Sequence, residues 1–264
     1  MRMDPLPLFP LKAIAALILV LAPPLSAQRL QPSDLTYLGA FRLPETTTDY
    51  PAVWDWSGEG MTYCPSGDAA GPVDGFPGSL FATGNAQQNW VGEFGVPAPS
   101  LSRDVGSLQA ARVLQSFADV RGGLFPGYAE QPRVGMEYLP VGSGRTEERL
   151  YLAWGQHYQM EPGVDIFPTH AWCGLDLDHA GIQGPWWVGT QAENDSRFTY
   201  SVNDYLFAIP DAWAAAHTGG RSLATGRFKD GGLGGLGPAL LAIGPWLDGN
   251  PPVPGAELAF TTLL

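Results

Sequence analysis

The sequence predicts an all-β fold, and three observations carry that expectation. Glycine (34) and proline (25) together exceed a fifth of the 264 residues, a composition that long helices do not tolerate. Hydrophobic residues make up 45% and aromatic residues 11%, enough to fill a core, which sets the chain apart from disordered sequences. The apolar runs are short and bounded by turn residues, as strands are. The formal charge of −12 repels phosphate backbones and anionic membranes, which disfavours nucleic-acid binding as a general function.

Arg2 and Lys12 precede the apolar run Ala13 to Ala22, Pro23 and Pro24 break it, and Ala27 offers a small residue for cleavage. A run this short suits a secretory signal peptide and falls below the ~20 apolar residues of a spanning helix. Residues 1–27 are therefore expected to be a signal peptide and residues 28–264 one periplasmic or extracellular domain, with no membrane attachment after cleavage. An oxidising compartment permits disulfides. Cys64 and Cys173 are nevertheless expected to stay unpaired, because they fall on a first and a third strand of different units, too far apart for a bridge.

Leu35 to Leu43 reads as a lone strand before a repeated unit. The motif Gly60-Met-Thr-Tyr-Cys-Pro65 returns as Gly135-Met-Glu-Tyr-Leu-Pro140, a spacing of 75 residues. Second strands follow at Ser79 to Asn85 and Arg149 to Gln156, each an apolar run ending in glycine and an amide. Third strands are expected at Trp90 to Pro97 and His170 to Asp178, and fourth strands at Arg112 to Phe117 and Gly184 to Gly189. Leu108 to Phe117 also contains good helix formers, so a helix there is the alternative. A third unit opens at Tyr205 to Pro210, and Asp211 to His217 reads as a helix started by Pro210 and stopped by Gly219-Gly220.

Successive four-stranded antiparallel units predict a β-propeller-like array of blades; a β-sandwich of two packed sheets is the alternative. Three units do not close a ring, and Ala259 to Leu264 reads as mid-strand, so the array is expected to be incomplete and truncated at its C-terminus. On the motif Gly60-Met-x-Tyr-x-Pro65, on Ser79-Leu-Phe81 and on their second copies, residues 60–189 resemble secreted bacterial propellers grouped loosely with NHL-repeat and phytase/esterase-like proteins. That resemblance implies a fold and carries over no catalytic residue.

No GxSxG, GxxxxGK[ST] or HExxH is present, so a hydrolase elbow, a P-loop and a zincin helix are absent. Gly232 to Gly237 spells GxGxxG, but no strand–helix unit surrounds it, and it reads as a flexible loop. Asp176 and Asp178 would share one face of a strand, solvated or holding a cation. Asn194-Asp195-Ser196 has oxygen ligands of the kind calcium takes, and otherwise reads as a turn. Glu59, Asn85, Gln156 and His157 are the candidate ligand-binding residues. Asn85 and Gln156 end equivalent second strands, His157 follows at once, and Glu59 immediately precedes a first strand, so a meander brings all four to one end. Trp54 and Trp56 lie nearby, either in that site or in the core. The mix suits a small-molecule or glycan ligand, with His157 or Glu59 as acid/base candidates if an extracellular ester, glycan or phosphate compound is hydrolysed; the alternative is a non-catalytic propeller that binds a glycan or a protein through the same face.

Overall fold

The computed structural model describes residues 30–45, 54, 60–71, 75–85, 88–124, 133–155, 168–188, 202, 204–227 and 239–264. The chain divides into two compact units at Tyr37/Leu38. In the N-terminal unit, Pro32–Asp34 forms a 3-10 turn, with the Asp34 carboxylate accepting the Gln31 N–H at 2.8 Å.

Residues 38–264 are mainly β. The first sheet is a meander of β1 (Met61–Cys64), β2 (Gly75–Thr83), β3 (Val91–Pro97) and β4 (Val113–Ala118). The second comprises β5 (Arg133–Leu139), β6 (Arg149–Gly155), β7 (His170–Cys173) and β8 (Gln183–Val188). The third comprises β9 (Tyr205–Ala208), β10 (Leu223–Arg227), β11 (Ala239–Ile243) and β13 (Phe260–Thr262). Between β11 and β13 the chain crosses to the second sheet, where β12 (Glu257–Leu258) adds in parallel to β8. The segment open to either helix or strand becomes β4, preceded by a 3-10 turn at Val105–Ser107. The helix α1 spans Asp211–His217.

The first two sheets share a register. Met61 faces Ala82 and Cys64 faces Ser79; Met136 faces Leu152 and Leu139 faces Arg149. Ala82 then faces Gly92, and Leu152 faces Ala171. β1 packs beside β5, and β5 beside β9. The glycine of each motif sits at this approach. A Cβ on Gly60 would stand 3.1 Å from the Val134 carbonyl, and one on Gly135 only 2.9 Å from the Leu206 Cβ.

The second sheet lies between the other two, with both faces buried. Leu150, Leu152 and Trp154 face a cluster that includes Cys64, Phe81 and Val91 of the first sheet. Tyr151 and Ala153 point the other way, into a cluster with Trp172, Trp186, Leu223, Ile243 and Trp246. Burial on both faces explains why β6 is apolar without alternation. These three sheets differ from the two-sheet sandwich held as the alternative.

Two expectations are corrected. Leu35 to Leu43 is not a strand: its described strand-type pairing is limited to single bridges from Ala40 to Ser100 and from Arg42 to Ala110. The third strand of the second unit stops at Cys173, and Leu177–His179 forms a 3-10 turn, so Asp176 and Asp178 do not share a strand face. Both are exposed. The cysteines are free and buried, and both belong to the apolar cluster between the first and second sheets.

Candidate functional site

Of the four candidate ligand-binding residues, Asn85 is described; Glu59, Gln156 and His157 lie outside the described residues. So do residues 1–27, Trp56, Asn194-Asp195-Ser196 and the glycine loop at 232–237. Asn85 follows the end of β2 by two residues, and its carbonyl accepts the N–H groups of Gln88 at 3.1 Å and Asn89 at 2.7 Å. This turn is closed by Asn89 at φ 50°, a left-handed conformation that asparagine tolerates. Within it the Gln88 amide oxygen is buried and has no partner among the described residues.

The sheet ends around Asn85 are well defined. Gly60, the neighbour of Glu59 in sequence, donates its N–H to Thr83 Oγ1 at 3.0 Å, and its carbonyl accepts the Thr83 N–H at 2.9 Å. Gly155, the neighbour of Gln156, faces Arg133 at the start of β5, and Val134 faces Trp154. Gly60 and Met61, Gly135 and Met136, and Asp204 to Phe207 together line an open depression of about 210 Å³. It is bounded by β1 and β5 with the start of β9.

A polar group between these three strands was missed by sequence reasoning. Glu137 takes the place in the second motif that Thr62 holds in the first. Its carboxylate accepts from Thr62 Oγ1 of β1 at 3.2 Å and from the Ala208 N–H of β9 at 3.1 Å. Thr62 Oγ1 accepts in turn from the Tyr138 N–H at 2.9 Å. Burial raises the Glu137 carboxyl above the usual range, against the lowering effect of its hydrogen bonds. One acidic residue thus ties three first strands together.

Other buried polar groups are engaged in similar cross-links. Trp54 packs on Phe94 and Phe117 at 5.0 and 4.9 Å and donates to the Pro44 carbonyl, so it belongs to the core. Glu93 accepts from Ser79 at 2.5 Å and from Gln115 at 2.6 Å. His170 is a buried residue of β7. Thr225 Oγ1 donates to the Val202 carbonyl at 2.8 Å and therefore accepts from His170 Nε2 at 2.9 Å. Nδ1 is then the acceptor for Thr169 Oγ1 at 2.7 Å, which fixes a neutral tautomer. Burial lowers the His170 pKa to about 3. Among the described residues, no group of three His, Cys, Asp or Glu side chains is placed to hold a metal ion, and no helix is long and apolar enough to cross a membrane.

The fold thus defines a mainly β protein of three small sheets, with polar cross-links between them. No family model, curated protein or solved structure matches the chain.

Proposed function

We propose that the protein is an exported, propeller-like binding protein that takes a glycan or other small polyol at the end of the sheets where the first strands begin. The observation that carries this reading is the shared depression of about 210 Å³ lined by successive first strands. In this reading β1, β5 and β9 are the inner strands of consecutive blades. The close approach of Gly60 to β5 recurs, one unit later, in that of Gly135 to β9, as inner strands around one axis require. Glu59, Asn85, Gln156 and His157 would form the rim, since each lies within two residues of a described strand end on that side. Amides, a carboxylate and an imidazole supply both donors and acceptors, which a polyol needs.

Melting of the full chain against a panel of soluble glycans tests the proposal. A ligand-dependent rise that Asn85→Ala and His157→Ala each reduce is expected; no rise with any glycan would defeat it. Turnover in a broad ester, glycan and phosphate hydrolase screen, lost in a folded His157→Ala variant, would replace binding with hydrolysis. Export belongs to the same proposal, and an intact mass that retains residues 1–27 would remove it.

A further inference from the structure

We infer that the cavity beside the turn from β5 to β6 binds one small neutral polyol, in a site independent of the depression and of the function proposed for it. The turn and the first residues of β6 form one wall, Trp172 of β7 and Gln183 of β8 another, and Asn250-Pro251 a third. This is the far end of the second sheet: Leu139 faces Arg149 here, whereas Arg133 faces Gly155 at the end nearer the depression. The cavity measures about 170 Å³, the share of about five or six waters at roughly 30 Å³ each and room for one polyol of roughly four to six carbons. Charge does not select its ligand, because each cation of the lining already has an anion. Arg145 pairs with Asp211 at 3.2 Å and Arg149 with Glu147, and Arg145 also donates to the Pro140 carbonyl and Ser222. A carboxylate entering here would compete with Glu147 and Asp211, and an ammonium would meet two guanidinium groups. A neutral ligand carries neither cost.

What the lining leaves unspent is a mixture of donors and acceptors. Tyr151 is 3% exposed, and its hydroxyl makes no hydrogen bond with any described residue, although a buried tyrosine hydroxyl ordinarily finds a partner. Burial raises its pKa and the charges of Arg145 and Arg149 oppose that rise; both arginines line this cavity, as Tyr151 does. Trp172 Nε1 donates to Gln183 Oε1 at 2.7 Å, which fixes the amide and leaves its NH₂ to donate. Asn250 gives its NH₂ to the Gly144 carbonyl and to Thr146 Oγ1, both at 3.3 Å. Its Oδ1 is left to accept and the Thr146 hydroxyl proton to donate. These internal bonds hold the groups in place before a ligand enters, which lowers the cost of binding. Each hydroxyl of a polyol both donates and accepts, so a polyol can use the whole set. Pro251 and Trp172 give its carbon chain an apolar wall.

The test is calorimetric titration of the full chain with erythritol, xylose, glucose and myo-inositol, with sodium acetate and ammonium chloride as charged controls at matched ionic strength. Saturable binding of at least one polyol, and of neither control, is expected. Tyr151→Phe should weaken it about fivefold or more and Thr146→Val about twofold, while Asn85→Ala leaves it unchanged. Tyr151→Phe preserves ring packing on Trp172 and Trp246 and removes an unpaired hydroxyl, so without ligand it should melt no lower than the parent. Thr146 is exposed, and its replacement by valine should leave melting unchanged. Binding that Asn85→Ala weakens and Tyr151→Phe does not belongs to the depression, which overturns this site and leaves the proposed function standing. Failure of all four polyols to bind, parental affinity in Tyr151→Phe, or equally tight binding of acetate or ammonium overturns it as well.

Discussion

The seam between the first and second sheets and the seam between the second and third join similar meanders with different materials. The first is largely aliphatic, with Phe81, Tyr138 and Trp154 as its buried aromatic residues, and its polar cross-links centre on carboxylates. Gln115 extends the Glu93 link to the Leu175 carbonyl at 2.8 Å and the Leu177 N–H at 2.9 Å. The second seam is aromatic. Trp172 meets Trp186 edge-on at 4.9 Å, and Tyr151 meets Trp172 and Trp246 at 5.4 and 5.5 Å. Its cross-links are a neutral histidine and the Arg145–Asp211 pair at 3.2 Å, and β12 laces the two sheets together. The same strand order therefore leaves each seam to be specified by side chains, and the two should fail differently.

The largest contrast is between the two buried tryptophans. Trp186→Ala is expected to cost about 3–5 kcal/mol, and more than Trp154→Ala by about 1 kcal/mol. Trp186 loses an aromatic edge contact worth roughly 0.5–1.5 kcal/mol along with its hydrogen bond to the Pro252 carbonyl at 3.2 Å. Urea denaturation of both variants measures the difference; a costlier Trp154→Ala would remove the aromatic account of the second seam.

The motif glycines should differ next. A Cβ at Gly135 meets the Leu206 Cβ at 2.9 Å, whereas at Gly60 the nearest atom is 3.1 Å away. Gly135→Ala is expected to cost about 1–3 kcal/mol by overpacking, and Gly60→Ala less. Equal melting temperatures for the two variants would show that the first strands tolerate separation.

Acid should separate the seams as well. The folded pKa of His170, about 3, lies below the unfolded value near 6.5, so the unfolded chain takes up the proton first. Its contribution is present above about pH 6.5 and falls as pH drops toward the folded value, by up to about 1.4 kcal/mol per pH unit. Denaturation of wild type and His170→Gln at several pH values should show a shallower acid loss in the variant. Parallel profiles would mean that His170 is not buried neutral.

Much of the architecture was legible because it is local. β2, β6 and β9 are apolar runs with turn residues at both ends, and α1 has its proline start and glycine stop within ten residues. β12 was not legible: two residues in a proline-rich segment carry no period, and only the exposed edge of β8 makes them a strand. Leu35 to Leu43 has the composition of a strand but finds only single bridges along its length. In the candidate site, Asn85 was reachable from repeat logic, whereas the roles of Glu137 and His170 were not. Glu137 meets Thr62 and Ala208, which are 75 and 71 residues away, and His170 meets Thr225 across 55 residues. Such partners are set by which sheets face each other, and a single sequence does not display that. The repeat held a partial signal for Glu137, since it replaces Thr62 between two otherwise matching positions.

The smallest effect should be at Glu137, and its sign is the informative part. Gln at this position still accepts from the Ala208 N–H, and its NH₂ can donate to Thr62 Oγ1, which also accepts from Tyr138. One hydroxyl proton loses its acceptor, while a half-buried charge disappears, so Glu137→Gln is expected to change stability at neutral pH by no more than about 1 kcal/mol. The pH response is distinct. Because burial raises the folded pKa of Glu137 above its unfolded value, the folded chain takes up the proton first. Its contribution therefore grows as pH falls through the folded pKa toward the unfolded value of about 4.3. Glu137→Gln abolishes that gain, so the variant should lose ground to wild type on mild acidification, whereas His170→Gln should gain it. Denaturation of the two variants in parallel at pH 7 and pH 5 reads both signs. If both shifted in the same direction, the carboxylate tying the first strands and the imidazole joining the second and third sheets would not be the opposed groups described here.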